Sequence, residues 1–459
     1  MAASRYKRRH SEIRHVFSRF LYTRGIRKAG LLTVNQRLFE KIRETADLPS
    51  LPAAAMRVMD LTSKEDVTPQ EVAEAVSMDP ALVAKILRTV NSPLYGCSHA
   101  ISSVHSAIVM LGMDTVKTLV LSFSICSKLA REKTKAFDHL TYWRRSLYAA
   151  TAARVLGAKV WVTEKEACFL SALLMDVGML VMDRVLGEAY GACVTRARNH
   201  AELSRMEDKA FELNHQQVAA VLAERWELPE LLALPMAHHH EPEKVEDEHV
   251  RQYAQIVSVA ARCADIFVDK QPMWSIADVR RICVEKFRIN EIDCDAMLVE
   301  IGMRTKELAP LFEIKVDSEA TYDKILARAN EQLLNVTKVA QHAKEEASDR
   351  RRAPRIRRDK DVVILPCTDG KITGSIVVKL QDVSARGVGF IHTAAMPVGA
   401  QFIFRVPRTD TVPITLMYTI ARCRDLGDGR YVIGGQLECV VREDGVAQPI
   451  TEAPDIKAA

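Results

Sequence analysis

The chain has 459 residues, of which 48% are hydrophobic and 27% are charged, and its formal net charge is +5. This length exceeds what one hydrophobic core usually serves, so two or more domains are expected. The small net charge excludes a molecule that is basic over its whole surface. Ten cysteines without a C-x-x-C pair argue against a disulfide framework and a cysteine-ligated zinc site. We expect a cytoplasmic protein without a membrane span, because the apolar stretch 167–181 is too short and contains Asp176.

Residues 1–35 form a basic leader that is rich in arginine and lysine, with Glu12 as its one acidic residue. Ile13, Phe17, Phe20 and Leu21 fall at helical spacing, which predicts a short amphipathic helix. Because its apolar face is small, we favour an arm packed on its own domain over a contact with an anionic membrane or a nucleic acid.

The apolar spacing of residues 36–317 is helical and predicts an all-α domain. One helix should follow the N-cap Thr68, and another should begin at Pro80 and stop at Asn91. Further helices are expected near 104–111, 114–130, 140–156, 164–184, 215–225, 229–239, 250–268, 277–287 and 293–308. Residues 318–349 predict a long helix with an alanine-rich, near-heptad stripe. This helix could be a rigid connector, the seam of a homodimer, or a helix packed back on the domain.

After Pro354 the pattern changes to short β-rich runs separated by turn signals such as Asp369-Gly370. The runs cover 362–365, 374–380, 402–406, 414–418 and 431–437. Strands at this spacing predict a small all-β barrel of six strands over residues 350–442. The tail 443–459 is rich in Pro, Asp and Ala and is expected to be disordered.

Two motifs stand out in this β-rich segment. Arg351-x-x-x-Arg355 precedes the first run, and Asp382-x-Ser384-x-x-Gly387 ends another. Both resemble motifs of the PilZ family, and the resemblance covers about 350–440. It implies that Arg351, Arg355, Asp382, Ser384 and Gly387 bind cyclic di-GMP. Arg352 and Arg386 are candidates for auxiliary contacts. Taken separately, the arginines would be a solvated linker and Asp382-x-Ser384 a turn cap.

The chemistry of these residue types suits a cyclic dinucleotide with two phosphates and two guanines. A guanidinium can bind a phosphate with two hydrogen bonds and can also donate to the O6 and N7 atoms of guanine. The carboxylate of Asp382 suits the N1–H and N2–H donors of guanine. The hydroxyl of Ser384 can reach guanine or phosphate, and Gly387 permits close approach of the backbone.

The helical segment carries a second resemblance. The run from Asp79 to Pro93, the Ala107-Ile108-x-x-Leu111-Gly112 core, Trp226-x-Leu228-Pro229 and the later His238-His239 are similar to the HDOD domain over about 40–240. HDOD domains are related to HD phosphohydrolases, which hold a metal with a His, a His-Asp pair and a further Asp. The resemblance implies a signalling or interaction module without established catalytic residues.

The metal pattern of HD enzymes is broken in this chain. Arg145 stands where the first His would be, and Met175 replaces the His of the His-Asp pair. Asp176 and Asp265 remain, and Asp176 is expected to pair with a helix end or with Arg145. We therefore predict no bound metal, no cofactor and no enzymatic activity.

Several histidines lie elsewhere in the segment. Consecutive helical residues point about 100° apart, so His238, His239 and His240 should not all converge on one ion. The sequence predicts a helix end with one packed His there, and a core or capping role for His215.

Together these patterns predict a cytoplasmic receptor in which the barrel binds cyclic di-GMP and the helical domain contacts an unknown protein partner. Two alternatives stay open. One is an HD-type metal-dependent phosphohydrolase that cyclic di-GMP regulates. The other is a nucleic-acid-binding regulator that uses the basic leader.

Overall fold

The computed structural model shows a helical part followed by a β-barrel. It describes residues 51–62, 64, 66–92, 99–130, 134, 137–197, 200–269, 272–317, 321–331, 355–368, 371–384, 387–406, 414–441 and 447–448. The basic leader lies outside these residues. None of the described helices is long and apolar enough to cross a bilayer.

Fifteen α-helices are present among the described residues. They are α1 (Ala53–Thr62), α2 (Pro69–Ser77), α3 (Pro80–Val90), α4 (Val104–Leu111), α5 (Met113–Leu129), α6 (His139–Lys159), α7 (Lys165–Leu174), α8 (Val177–Leu186), α9 (Glu188–Arg196), α10 (His200–Phe211), α11 (His215–Arg225), α12 (Glu230–His238), α13 (Glu248–Val268), α14 (Met273–Phe287) and α15 (Glu291–Leu308).

The chain divides into two compact units. The first comprises the described parts of Met1–Ile86, Ser102–Asp138 and Glu166–Ser258, and the second those of Leu87–Ile101, His139–Lys165 and Val259–Ala459. The first unit therefore contains α7 to α12, and the second contains α6, α14, α15 and the barrel.

Most helices begin and end where the sequence predicts. Thr68 caps α2 through a reciprocal pair of hydrogen bonds: the Glu71 amide donates to Thr68 Oγ1 over 3.3 Å, and the Thr68 amide donates to Glu71 Oε2 over 2.8 Å. The single helix expected over 164–184 is two helices, because Asp176 leaves the helical conformation with φ −95° and ψ 8°. Three helices were not predicted, namely α1, α9 and α10.

The segment expected to be a long helix is helical over residues 322–331, and the rest of 318–349 lies outside the described residues, apart from Thr321. Tyr322 donates its hydroxyl hydrogen to Asp295 over 2.7 Å, and Arg280 binds the same carboxylate over 2.6 Å. Tyr322, Ile325 and Ala329 are buried. Of the three roles considered, the described part supports a helix packed on its own domain.

The β-rich segment forms a closed antiparallel barrel, as predicted. Its strands are β1 (Arg355–Thr368), β2 (Lys371–Ile372), β3 (Ile376–Ser384), β4 (Gly387–His392), β5 (Gln401–Val406), β6 (Ile414–Asp425), β7 (Tyr431–Val441) and β8 (Ala447–Gln448). Six of them follow the order β1-β3-β4-β7-β6-β5, and β1 also pairs with β5, which closes the ring. The two-residue strands β2 and β8 pair with the ends of β1 and β7.

Inward-facing apolar side chains fill the barrel. Phe390 and Phe402 meet edge to face with their ring centroids 5.4 Å apart, and Phe402 stacks on Tyr418 at 5.4 Å. A β-carbon at Gly435 would lie 2.7 Å from the Phe402 ring, so this inward position needs glycine. The alternation of strand residues then places Gly434 on the outer surface.

Two details of the barrel differ from the sequence prediction. Strand β1 begins at Arg355, seven residues before the predicted run, because the polar residues that start it pair with the end of β3. The expected disordered tail contains Ala447 and Gln448, which pair with β7.

Candidate functional site

The register of β1 against β3 brings parts of the two predicted motifs together. Arg355 lies directly opposite Ser384, and Arg357 lies opposite Asp382. For Arg355 and Ser384 the structure describes the backbone positions only, and Arg351, Arg352 and Arg386 lie outside the described residues. Arg355 is thus a barrel residue and not part of a segment ahead of the barrel.

Gly387 is also a strand residue. As the first residue of β4 it pairs with Ser384 on one side and with Gln436 of β7 on the other. The motif Asp382-x-Ser384-x-x-Gly387 therefore spans a tight β3–β4 connection, and a buried glycine follows this connection.

A transverse row of four residues crosses the outer surface of the barrel next to this connection. Asp382 of β3 pairs with Gly389 of β4, Gly389 pairs with Gly434 of β7, and Gly434 pairs with Arg422 of β6. Directly opposed residues of an antiparallel sheet point to the same face. The row thus has an acid at one end, a guanidinium at the other and two glycines between them.

Both charged side chains lean over the glycines. A β-carbon at Gly389 would lie 2.9 Å from Oδ1 of Asp382, and one at Gly434 would lie 2.7 Å from Nε of Arg422. Neighbouring strands are about 4.8 Å apart, so the carboxylate and the guanidinium lie over adjacent strands. The result is a patch that offers a hydrogen-bond acceptor and a cation side by side.

Sequence reasoning found Asp382 but missed Gly389, Gly434 and Arg422. The glycines carried a signal that could have found them, since Gly389 and the Gly434-Gly435 pair lie inside β-rich runs. Glycine weakens a strand interior and often marks a place where another group approaches closely. Arg422 could not have been found, because its position opposite Gly434 depends on β-bulges in β6.

A second candidate site lies in the helical part, within the first unit. Asp176 precedes α8, His200 and His215 begin α10 and α11, and His239 and His240 follow the end of α12. The helices α8 and α11 cross almost in backbone contact, because a β-carbon at Gly178 would lie 2.0 Å from the carbonyl oxygen of His215. This crossing sets Asp176 beside His215.

A buried carboxylate orients His215. Glu207 Oε2 accepts the backbone amide of His215 over 2.9 Å and contacts its Nδ1 over 2.6 Å, while Oε1 accepts the Tyr190 hydroxyl over 2.7 Å. Burial raises the pKa of Glu207, but the charge and hydrogen bonds of His215 outweigh this effect and the net pKa is lowered. Glu207 is therefore ionised, and the Nδ1 atom of His215 must donate to it.

The other imidazole nitrogens converge. Nε2 of His215 lies 3.3 Å from Nε2 of His239 and 3.1 Å from Nε2 of His240. Oδ1 of Asp176 lies 2.9 Å from Nε2 of His200, 3.3 Å from that of His239 and 3.5 Å from that of His215. Burial lowers the pKa of His239, and burial with the neighbouring imidazoles holds that of His240 well below its usual value.

This geometry corrects the expectation of one packed histidine at the end of α12. His239 and His240 both turn towards the same point, because His240 lies beyond the last helical residue of α12, where 100° spacing does not apply. His215 begins α11 and is fully buried, in agreement with the predicted core role, while Asn214 is the capping residue. Arg145 donates through Nε to Asp265 over 2.7 Å in the second unit, so a guanidinium–carboxylate pair occupies two of the HD positions.

Comparison with known proteins identifies residues 48–242 of the helical part. Residues 48–242 match the family model of the HDOD domain, so this part of the chain is an HDOD domain. The expected domain over about 40–240 is thereby confirmed.

Individual relatives are distant. The chain is 22% identical over 219 residues to an uncharacterized protein of Treponema pallidum, an alignment that covers 47% of this chain and 41% of the relative. The chain thus spans less than half the length of this curated relative.

Similar solved structures include an HDOD domain protein of unknown function from Geobacter sulfurreducens, which is 20% identical in sequence. The match covers 66% of this chain and 94% of that chain, with a TM-score of 0.44. Another structure, from Shewanella amazonensis, bears the provisional name metal-dependent phosphohydrolase and is 17% identical in sequence. The match covers 61% of this chain and all of that chain, with a TM-score of 0.45. Likenesses at this level assign neither an activity nor a ligand.

The crossing of α8 and α11 yields a stability prediction. Gly178→Ala should destabilise the protein by about 3 kcal/mol or more, because the new methyl group meets backbone that cannot move independently. The matched control is Gly302→Ala, also within a helix, where the nearest atom is a Phe267 ring carbon at 3.3 Å. Urea unfolding of the two variants should differ clearly, and equal midpoints would show that the crossing is looser than described.

Proposed function

We propose that this protein is a receptor for cyclic di-GMP, in which the barrel binds the dinucleotide and the HDOD domain relays the signal to a protein partner without catalysing a reaction. The observation that supports this best is the patch that Asp382, Gly389, Gly434 and Arg422 form beside the pairing of Arg355 with Ser384. A hydrogen-bond acceptor and a cation thus lie together on one face of the barrel.

Each feature matches a part of the ligand. The Asp382 carboxylate suits the N1–H and N2–H donors of a guanine edge, and the glycines leave room for the two charged side chains to lie close to the strands. A guanidinium at Arg422 can stack on the base or bind a phosphate. Arg355, at the start of β1, lies at a register position from which it can supply a second cation. The PilZ resemblance of Arg351 and Arg355 supports the same ligand.

The cytoplasm is the expected location. The nine described cysteines are free thiols, and most of them are buried, as suits a reducing compartment.

Ligand identity is the first test. Calorimetric titration of the full chain should give a Kd for cyclic di-GMP on the order of 1 µM or lower, and weaker binding of GMP and cyclic di-AMP. Asp382→Ala and Arg355→Ala should each cost about 1.5–3 kcal/mol of binding free energy, the scale of a hydrogen bond to a charged group. Equal affinity for all three nucleotides would show that no carboxylate reads guanine.

The glycine of the patch gives a sharper test. Gly389→Ala should weaken cyclic di-GMP binding at least as much as Asp382→Ala, because the methyl group displaces the carboxyl group that it would otherwise touch. Arg422→Ala should also weaken binding. Gly374→Ala is the control, since no atom lies within 4 Å of the added carbon. Normal affinity in Gly389→Ala, with native circular dichroism, would exclude this face as the binding site.

The phosphohydrolase alternative predicts turnover. We expect the purified chain to hydrolyse neither cyclic di-GMP nor a generic phosphodiester, with or without added Mn²⁺, because Arg145 holds Asp265 in an ion pair where an HD enzyme needs metal ligands. Metal-dependent hydrolysis that Asp176→Ala abolishes would favour the enzyme instead.

A further inference from the structure

The histidine cluster of the HDOD domain poses an electrostatic problem. The Nδ1 atom of His215 donates to the Glu207 carboxylate, and that of His239 lies 2.9 Å from the Met236 carbonyl oxygen, which can only accept. In a neutral imidazole the other nitrogen then carries a lone pair. The Nε2 atoms of His215 and His239, which carry these lone pairs, lie 3.3 Å apart, and both lie within 3.5 Å of Asp176 Oδ1.

Acceptor atoms placed this close repel one another unless a proton or a metal ion lies between them. The distances fit a metal ion of the zinc class. Zinc in a tetrahedral site binds imidazole nitrogen and carboxylate oxygen at about 2.0–2.2 Å, which puts neighbouring ligand atoms about 3.3–3.5 Å apart. The three separations of His215 Nε2 from the other ligand atoms, and that of His239 Nε2 from Asp176 Oδ1, run from 3.1 to 3.5 Å.

The surroundings also have the form of a metal site. Protein imidazoles that bind a metal usually donate their second nitrogen to a carboxylate or a backbone carbonyl, which fixes the ring and its tautomer. His215 does so to Glu207, and His239 does so to Met236. Glu207 is itself fixed by Tyr190, and both Glu207 and His215 are fully buried.

We propose that His215, His239, His240 and Asp176 bind one divalent transition-metal ion of the zinc class, with His200 as an additional donor beside Asp176. Three imidazoles and a carboxylate suit zinc, iron, nickel or copper and do not suit magnesium or calcium, which prefer oxygen ligands. The ion joins the starts of α8 and α11 to the end of α12.

This site differs from the broken HD pattern in the sequence. Of the positions that the HD resemblance singles out, it uses Asp176 alone, and it needs no imidazole at Arg145 or Met175. The sequence-based expectation of no metal considered those two positions and the spacing of His238 to His240. It gave His215 a core or capping role and did not include His200, which comes from another helix.

Metal content is the direct test. The full chain, freed of metal with a chelator and then exposed to Zn²⁺ or Co²⁺ and desalted, should retain one ion per chain by mass spectrometry of the elements. The Co²⁺ form should show visible absorption bands of the strength typical of four- or five-coordinate sites. Thermal unfolding should shift to higher temperature with Zn²⁺, because an ion that binds only the folded state stabilises it.

Two variants and a matched control separate this site from adventitious binding. His240→Gln should abolish stoichiometric retention, and Glu207→Gln should lower affinity by about 10- to 100-fold by releasing His215. His238→Gln, a change at the neighbouring buried imidazole, should retain one ion. Failure of the wild-type chain to retain Zn²⁺ or Co²⁺, or equal retention in His240→Gln and His238→Gln, overturns the proposal. Neither outcome depends on the dinucleotide.

Discussion

Strand β1 pairs with β3 along one edge and with β5 along the other, and the candidate ligand site depends on this double pairing. It closes the barrel, so the inner apolar side chains are shielded and the sheet has no open edge there. It also carries Arg355 to a position opposite Ser384, next to the row that starts at Asp382. If β1 began at its apolar run, as the sequence suggests, Arg355 would lie outside the sheet.

The HDOD domain depends on a different kind of constraint, a close crossing of two helices at Gly178 and a buried carboxylate at Glu207. These features hold the side chains of Asp176, His200, His215, His239 and His240 close together. Burying so many polar groups destabilises the fold unless their charges are compensated. A chain that has lost two imidazoles of the HD pattern still keeps this arrangement. The proposed dinucleotide site in the barrel and the proposed metal site in the helical part share no residue, so a variant of one site leaves the other intact.

Local patterns were enough to predict most of the fold. The signals that the structure follows act over a few residues each. They are the cap at Thr68, the helix end at Asn91 and the turn signals of the barrel. Helix α10 was missed because its sequence is mostly polar, and with it His200 and Glu207 were overlooked. Arg422 and the histidine cluster were missed for a related reason. Both depend on register or on contacts between helices that lie far apart in sequence.

A crystal structure of the full chain with cyclic di-GMP tests the central claim most directly. The account predicts a guanine edge within hydrogen-bond distance of the Asp382 carboxylate, and a phosphate or base in contact with Arg422 or Arg355. A dinucleotide bound elsewhere on the chain, or no bound dinucleotide at saturating concentration with this face open to solvent, would contradict it.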